Sequence, residues 1–386
     1  MSETGRPPRL SELFFSFFKL GLTSFGGPAM VAYIRELSVH RKKWLGEETF
    51  KDGVALCQSV PGATAMQTAA YVGLRARGIP GAFASYTGFG LPAFILMVIF
   101  SSIYMDAHAL PQVVSLFSGL QVIVVAIIAN ATFSFGKGTL KHTRDYMLSV
   151  LSAALFGAGV SPFAVIAGSA LAGILLYRGD YAFRAAEAPG AGKSLKKTGL
   201  LFLAAALWLV FLFLADKRLF SLSALMMRID IFAFGGGFAS LPLMMREIVE
   251  VRGWLDYKTF MDGIALGQVT PGPIVITAAF IGYQLYRLAG AAAATVSIFT
   301  PSFLMVVAVT PFFDRLKTSR YFLRAIKGIL ASFAGLLFYV AVKFGLAVPW
   351  DAARTAFGFA ALIALVRKTN ILYVVLAGAV VSFFIF

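Results

Sequence analysis

The chain has 386 residues, 59% of them hydrophobic and only 13% charged, with a formal net charge of +16. A soluble domain covers its surface with about a quarter charged residues, so a mean hydropathy of +0.81 excludes a water-soluble globule. In a soluble chain the cation excess would point to nucleic acid. Here the cations sit in short stretches beside apolar runs, the pattern that sets membrane orientation, and part of the excess serves to draw anions.

The first apolar run, 13–18, ends at Lys19 and has no small-residue cleavage site, so it reads as an uncleaved insertion signal. Five longer runs, 83–104, 113–135, 200–214, 290–311 and 323–342, have roughly the 20 residues that span a hydrocarbon core about 30 Å thick; 200–214 needs its flanks to complete the crossing. Backbone polar groups in lipid must be satisfied internally, which makes these runs helices. The alternation of a membrane barrel is absent.

Along the chain the sequence repeats itself. Phe25-Gly26-Gly27 matches Phe234-Gly235-Gly236, Arg35-Glu36 matches Arg246-Glu247, Trp44-Leu45 matches Trp254-Leu255, Asp52-Gly53 matches Asp262-Gly263, and Gln58 with Pro61-Gly62 matches Gln268 with Pro271-Gly272. Gly81, Pro92 and Gly119 continue the register to Gly290, Pro301 and Gly328. The duplicated halves run over 10–178 and 219–386, and 179–218 holds an Ala-, Gly- and Lys-rich linker (179–197) and one extra apolar run. An even number of crossings per half plus one extra inverts the second half, a common transporter plan. The expected fold is an all-α polytopic membrane protein of two inverted-topology repeats with discontinuous helices and about 10–13 transmembrane segments. With the N-terminus cytoplasmic, the cationic loops fall inside with one exception: Arg41-Lys42-Lys43 would face outward unless its segment does not fully cross or its cations serve a substrate.

Each half carries two helix breaks, Ser24-Phe25-Gly26-Gly27-Pro28 and Gln58-Ser59-Val60-Pro61-Gly62, answered by Ala233-Phe234-Gly235-Gly236-Gly237 and Gln268-Val269-Thr270-Pro271-Gly272-Pro273. Glycine frees the backbone, and proline removes a donor and clashes with the preceding turn. New half-helices are expected to start at Pro61 and Pro271. A helix start inside the membrane presents free N–H groups and the positive end of a dipole, which is an anion site. The expected substrate-binding set is Ser24, Gly26, Gly27, Gln58, Pro61, Gly62, Thr64, Gly235, Gly236, Gln268, Thr270, Pro271 and Gly272, with Ser59, Gln67 and Thr277 nearby. Glycine and proline also serve close helix packing; four breaks at matched positions, each beside polar donors, favour a site.

Intramembrane charges are costly and tend to line a pathway or to pair. Lys19 and its counterpart Arg228 precede the glycine breaks, and Asp230 is placed to neutralise Arg228; snorkelling of both cations to an interface is the competing reading. Arg35, Glu36, Arg246 and Glu247 complete the candidate pathway charges, while Asp52 and Asp262 are expected to cap helices. Trp44 and Trp254 read as interface anchors. Cys57 is the only cysteine and the three histidines are scattered, so no metal site is expected. Neither a phosphate-loop lysine motif nor a serine–histidine pattern is present, so no enzyme, cofactor or direct ATP drive is expected.

At these motifs the sequence resembles the long-chain, two-domain form of the chromate ion transporter family over nearly its whole length. The match runs through Ser24 to Pro28, Arg35-Glu36, Lys43-Trp44-Leu45, Leu56-Cys57-Gln58 and Pro61-Gly62. In the second half it takes in Phe234 to Gly237, Leu241-Pro242-Leu243, Gly253-Trp254-Leu255 and Gly263 to Pro273. The resemblance implies a multi-pass transporter of the inner (cytoplasmic) membrane that exports chromate, driven by membrane potential or a proton gradient, and confers chromate resistance. Two places depart from it: Val31 stands where first-half members often have histidine, and Pro61-Gly62 is followed by Ala63 instead of proline. Sulfate is therefore the alternative anion, and an anion-selective channel the alternative mode. The expected partners are chromate or a similar oxyanion and membrane lipid, with a homodimer left open and no nucleic acid.

Overall fold

A computed structural model describes residues 7–25, 28–108, 110–178 and 195–386; the predicted glycines Gly26 and Gly27 and most of the linker 179–197 lie outside the described residues. The described residues form no strand. In chain order the helices are α1 (Leu10–Thr23), α2 (Pro28–Arg35), α3 (Glu47–Ser59), α4 (Thr64–Ala107), α5 (Pro111–Thr139), α6 (Thr143–Gly157), α7 (Pro162–Leu176), α8 (Leu195–Ala215), α9 (Lys217–Phe232), α10 (Gly237–Met245), α11 (Tyr257–Val269), α12 (Thr277–Val309), α13 (Phe313–Thr318), α14 (Arg320–Ala347), α15 (Ala352–Val366) and α16 (Ile371–Ile385). Five stretches are long and apolar enough to cross a membrane: Thr64–Ala107, Pro111–Thr139, Thr198–Ala215, Ile274–Phe312 and Arg320–Ala347. They contain the five runs read from the sequence, and the chain is an all-α polytopic membrane protein. The described residues fall into two compact units, one within Met1–Ser102, Glu187–Ser240 and Thr270–Asp314, the other within Ile103–Ala186, Leu241–Val269 and Arg315–Phe386.

The first unit is built from helices that turn back. Fourteen residues make α1 only about 21 Å long, short of the hydrocarbon core. After its break the chain returns through α2 and a π-helical turn, Glu36–Arg41, so that Lys42 Nζ lies 2.9 Å from Glu12 Oε1 and the Trp44 ring stacks on Phe17 at 6.3 Å. The Arg41-Lys42-Lys43 cluster therefore comes back to the end at which α1 starts, which resolves the exception to positive-inside counting: this segment does not fully cross. The chain turns back again between α3 and the start of α4, where Gly53 packs directly against the Tyr71 ring. Arg77 Nη1 donates to Pro8 O at 2.7 Å, so the base of this second hairpin sits beside the start of α1.

A straight helix of 44 residues would be about 66 Å long. Instead α4 breaks at Arg77 (φ −149°, ψ 26°) and Gly78 (φ 66°, ψ −160°), and Ser85 Oγ, beyond the turn, donates to Ala69 O at 2.7 Å. At the matching place α12 breaks at Tyr286 and Arg287. Beyond their turns the two helices pack antiparallel: Phe83 meets Phe303 at 6.3 Å between ring centroids, and Tyr86 Oη donates to Phe299 O at 2.6 Å. These segments are copies of each other, so their opposite direction is the inversion of the repeat. In keeping with it, the far end of α12, at Thr310 and Pro311, lines one cavity with Trp44, Thr49 and Arg75 of the first half's hairpin bases.

In the second unit α14 packs on α5, α6 and α7, and α5 also packs on α11, α15 and α16. A buried carboxylate ties part of it together. Asp262 Oδ1 accepts from Gln121 Nε2 and Asp262 Oδ2 from Tyr104 Oη, both at 2.8 Å. The sequence reading of Asp262 as a helix cap is corrected here. Asp256 serves the start of α11, accepting from Thr259 N at 2.7 Å, which leaves Asp262 a full turn into the helix and 5% exposed.

Removing a buried acceptor costs the donors that aim at it, about 1–3 kcal/mol per group. Asp262→Ala is expected to lower stability by about 2–4 kcal/mol, whereas Asp52→Ala, at the exposed first-half counterpart, stays within about 0.5 kcal/mol. Thermal melts of detergent-purified protein give the comparison, and equal melting temperatures would remove the structural role given to Asp262.

Candidate functional site

The breaks expected from the glycine–proline clusters are present, and within the first unit they meet. In the first half α1 ends at Thr23 and α2 starts at Pro28, and α3 ends at Ser59 and α4 starts at Thr64. In the second half α9 ends at Phe232 and α10 starts at Gly237. There the last break runs from Val269 to a 3₁₀ turn at Ile274–Ile276, with α12 following at Thr277. The half-helices thus begin three or more residues after Pro61 and Pro271, not at them. The intervening glycines explain the delay: Gly62 has φ +120° and Gly272 φ +110°, a region that side-chain-bearing residues avoid. A helix cannot pass through such a residue.

These two glycines make the contact on which the junction rests. Gly62 N donates to Ala233 O at 2.9 Å, and Gly272 N donates to Ser24 O at 2.8 Å. Each hydrogen bond runs from the second break of one half to the first break of the other, and the two are images of each other under the repeat. A Cβ on Gly236 would stand 3.3 Å from Thr64 Oγ1, and one on Gly237 would stand 3.2 Å from Ile274 and Val275. Ser24, Pro61, Gly62, Thr64, Ala233, Gly236 and Gly272 therefore belong to one buried junction.

At that junction the N–H groups of Thr64, Ala65 and Met66 begin a helix and have no acceptor within it. Two buried side chains of the junction have unmatched polar atoms, Gln67 next to Pro61 and Ser24 next to Gly272. Ser24 is fully buried and its Oγ has no hydrogen-bond partner among the described residues. Gln67 donates through Nε2 to Pro61 O at 2.6 Å, yet its buried Oε1 has no partner. Buried polar atoms are normally satisfied, so two open ones within one junction mark a place able to take a polar guest.

The other expected site residues are placed as follows. Thr270 and Pro271 are buried within the last break, and Gly235, with φ +99°, is exposed. Gln268 is half-buried near the end of α11, with Nε2 unpartnered among the described residues. Gln58 is exposed, in the last turn of α3. Lys19 and Arg228 lie on exposed faces of α1 and α9 outside the buried junction, and Lys19 lines an open groove of about 390 Å³ with Arg9, Glu12 and Ser16. Asp230 does not serve Arg228 as expected; it hydrogen-bonds Ser302.

The four charges after the first breaks are held in ion pairs. Arg35 grips Glu47 with Nη2 2.6 Å from Oε1, and that hydrogen-bonded guanidinium holds the Glu47 carboxyl below the usual carboxylate range. Arg41 reaches Glu36 at 3.4 Å. In the second half Arg246 pairs with Glu250, and Arg252 with Glu247. Both clusters lie on π-helical turns at matching places, Glu36–Arg41 and Arg246–Val251. Such turns leave no trace in hydrophobic periodicity.

The backbone at Gly62 and Gly272 predicts a sharp response to a single methyl. Alanine at either position meets an unfavourable φ, and its Cβ would overlap the Ser302 side chain at Gly62 and approach Ala93 Cβ to 2.7 Å at Gly272. Each substitution is expected to cost about 1–3 kcal/mol. Gly168→Ala in α7, where a Cβ meets nothing, should be neutral or stabilising by up to about 1 kcal/mol. Melting temperatures of the three variants in detergent check this, and equal shifts would contradict it.

The sequence profile described as chromate transporter matches this chain twice, at residues 11–174 and 220–383. An uncharacterized transporter of Methanocaldococcus jannaschii is 44% identical over 98% of this chain and 95% of its own length. The chromate transport protein of Cupriavidus metallidurans is 29% identical over 85% of this chain and 80% of its own length. That of Pseudomonas aeruginosa is 27% identical, covering 98% and 94% respectively. No solved structure matches.

Proposed function

From the premise that this chain belongs to the chromate transporter family, we propose that it is a secondary transporter of the cell membrane that carries chromate outward, with the junction of the four helix breaks as its anion site. The observation that carries this reading is the pair of crossed hydrogen bonds, Gly62 N to Ala233 O and Gly272 N to Ser24 O, which gathers four broken helix ends in one buried place. A tetrahedral dianion suits such a place. It accepts several N–H and O–H donors at once, and charge-assisted hydrogen bonds are roughly twice as strong as neutral ones.

The residues take these roles. Thr64, at the start of α4, offers its amide and hydroxyl, and Ser24 offers the unmatched Oγ–H. The glycine pair Gly235-Gly236, both at positive φ, lets the backbone approach the guest closely. Gln268 brings an unpartnered amide from the approach to the last break. Lys19 and Arg228, exposed and one to two turns from the breaks, raise the local anion concentration without occupying the site. Residues 10–178 and 219–386 form the two halves, whose broken helices meet at the junction.

Direction follows from charge. A membrane potential acts on each elementary charge with about 2.3 kcal/mol per 100 mV, so an inside-negative membrane pushes a dianion outward by about twice that.

Purified protein in vesicles should show saturable chromate flux that quickens when the potential is negative on the chromate-loaded side, with sulfate as the competing anion. Ser24→Ala and Gln268→Ala each remove one donor to a charged guest, about 1.5 kcal/mol or roughly tenfold in affinity. Chromate kinetics unchanged in both variants would refute the site, and flux without saturation would replace the transporter with a channel.

A further inference from the structure

The repeat is broken at one place in the junction, and the break introduces an acid. In the register set by Phe25 and Phe234, Asp230 stands where the first half has Gly21, and Ser302 where it has Ala93. Ala63, in turn, stands where the second half has Pro273. The three exchanges fit together. Pro273 has no N–H, and its half needs no acceptor at Ala93. Ala63 has one, and it donates to Ser302 Oγ at 3.2 Å. Ser302 passes the connection on: its Oγ–H and its backbone N–H both donate to Asp230 Oδ2, each at 2.7 Å.

Asp230 is fully buried, and Oδ1 has no partner among the described residues. It forms no ion pair there. Its own helix α9 contributes Arg228, exposed and two residues away; α12 contributes Ser302; and α4 contributes the titratable Tyr86, whose hydroxyl donates to Phe299 O at 2.6 Å. A buried carboxylate without a cation is costly, and structure alone does not require it, since glycine fills the equivalent place in the first half. Oδ2 already accepts two donors, so Oδ1 is the atom free to take a proton.

We propose that Asp230 is the proton-binding residue of this transporter and that it takes up a proton on Oδ1 when the anion enters the junction. This rests on the anion-site reading given above. The carboxylate is joined to the amide of Ala63, next to the helix start at Thr64, through one serine. A dianion at that start repels a charged Asp230 and is accommodated by a protonated one. Linkage makes the effect reciprocal: the anion raises proton affinity and the proton raises anion affinity by the same factor. Proton and anion then travel together, and each chromate carries one net negative charge instead of two.

The test is proton uptake from weakly buffered solution when chromate is added to the detergent-purified protein, at neutral to alkaline pH where chromate remains a dianion. Wild type is expected to bind chromate, to take up protons as it does so, and to lose affinity as pH rises. Asp230→Asn, which keeps an acceptor for Ser302, is expected to bind chromate still, with no proton uptake and with affinity that no longer falls with pH. Ser302→Ala removes one donor to the charged carboxylate, so the fall in affinity should move to higher pH. Chromate binding by wild type without proton uptake, uptake that persists in Asp230→Asn, or an unmoved pH curve in Ser302→Ala would each overturn the assignment. Wild type that binds no chromate at all would overturn the transport reading, and this inference with it.

Discussion

Two backbone hydrogen bonds set the terms for the rest of the first unit. In hydrocarbon there is no water to satisfy a stray amide or carbonyl, and each unsatisfied group costs several kcal/mol. A helix break at membrane depth is therefore tolerated only if its exposed backbone finds partners in protein. Gly62 N–H finds the carbonyl of Ala233, and Gly272 N–H finds the carbonyl of Ser24. Neither half holds a partner for its own tip; each supplies the acceptor that the other lacks. The hairpins need a second copy, because one copy alone would leave an orphan donor and an orphan acceptor at depth. Short helices such as α1 and α3 do not reach across the core, and the antiparallel packing of α4 on α12 has the two sets enter from opposite sides.

Symmetry explains the frame, and departures from it locate the chemistry. Where the repeat holds, the residues are glycine, proline and backbone, which shape the path of the chain and are indifferent to protonation. Where it fails, at Ala63 for Pro273, Ser302 for Ala93 and Asp230 for Gly21, a hydrogen-bonded line appears that leads from a helix start to a buried acid. The second unit has a contrasting acid. Asp262 is also buried, but Gln121 and Tyr104 satisfy both of its oxygens. Asp262, with both oxygens matched, ties its unit together, whereas Asp230 keeps one oxygen open among the described residues.

Much of this was legible in the sequence, and the reasons for the rest are physical. The five long apolar runs, the inverted repeat and the positions of the four breaks are all written in composition and spacing, because hydrocarbon thickness and glycine–proline chemistry act locally. The return of Arg41-Lys42-Lys43 to the start of α1 was legible only as an anomaly in charge counting, since the 14-residue length of α1 was hidden in a continuous apolar stretch. Helix starts fell later than the prolines because positive-φ glycines follow them, and proline marks an end as readily as a beginning. Asp262 was misread as a cap because the true cap, Asp256, lies six residues earlier. Ser302 was missed entirely: a serine in an apolar helix is ordinary, and only comparison with Ala93 would have singled it out.

The charge balance at the junction ties these threads together. A helix N-terminus is equivalent to roughly half a positive charge. At the proposed anion site two starts, one from each half, supply about one positive charge against the two of a chromate dianion. The formal cations do not make up the difference at close range, because Lys19 and Arg228 lie on exposed faces and Arg35 and Arg246 are engaged with Glu47 and Glu250. An ionised Asp230 would make the balance worse by a full unit. Protonation of that one carboxyl removes the added repulsion without placing a fixed cation in the site, where a cation would hold the anion too tightly to release it. A transporter must let go of what it binds, and a proton that arrives and leaves with the anion meets that need better than a permanent charge.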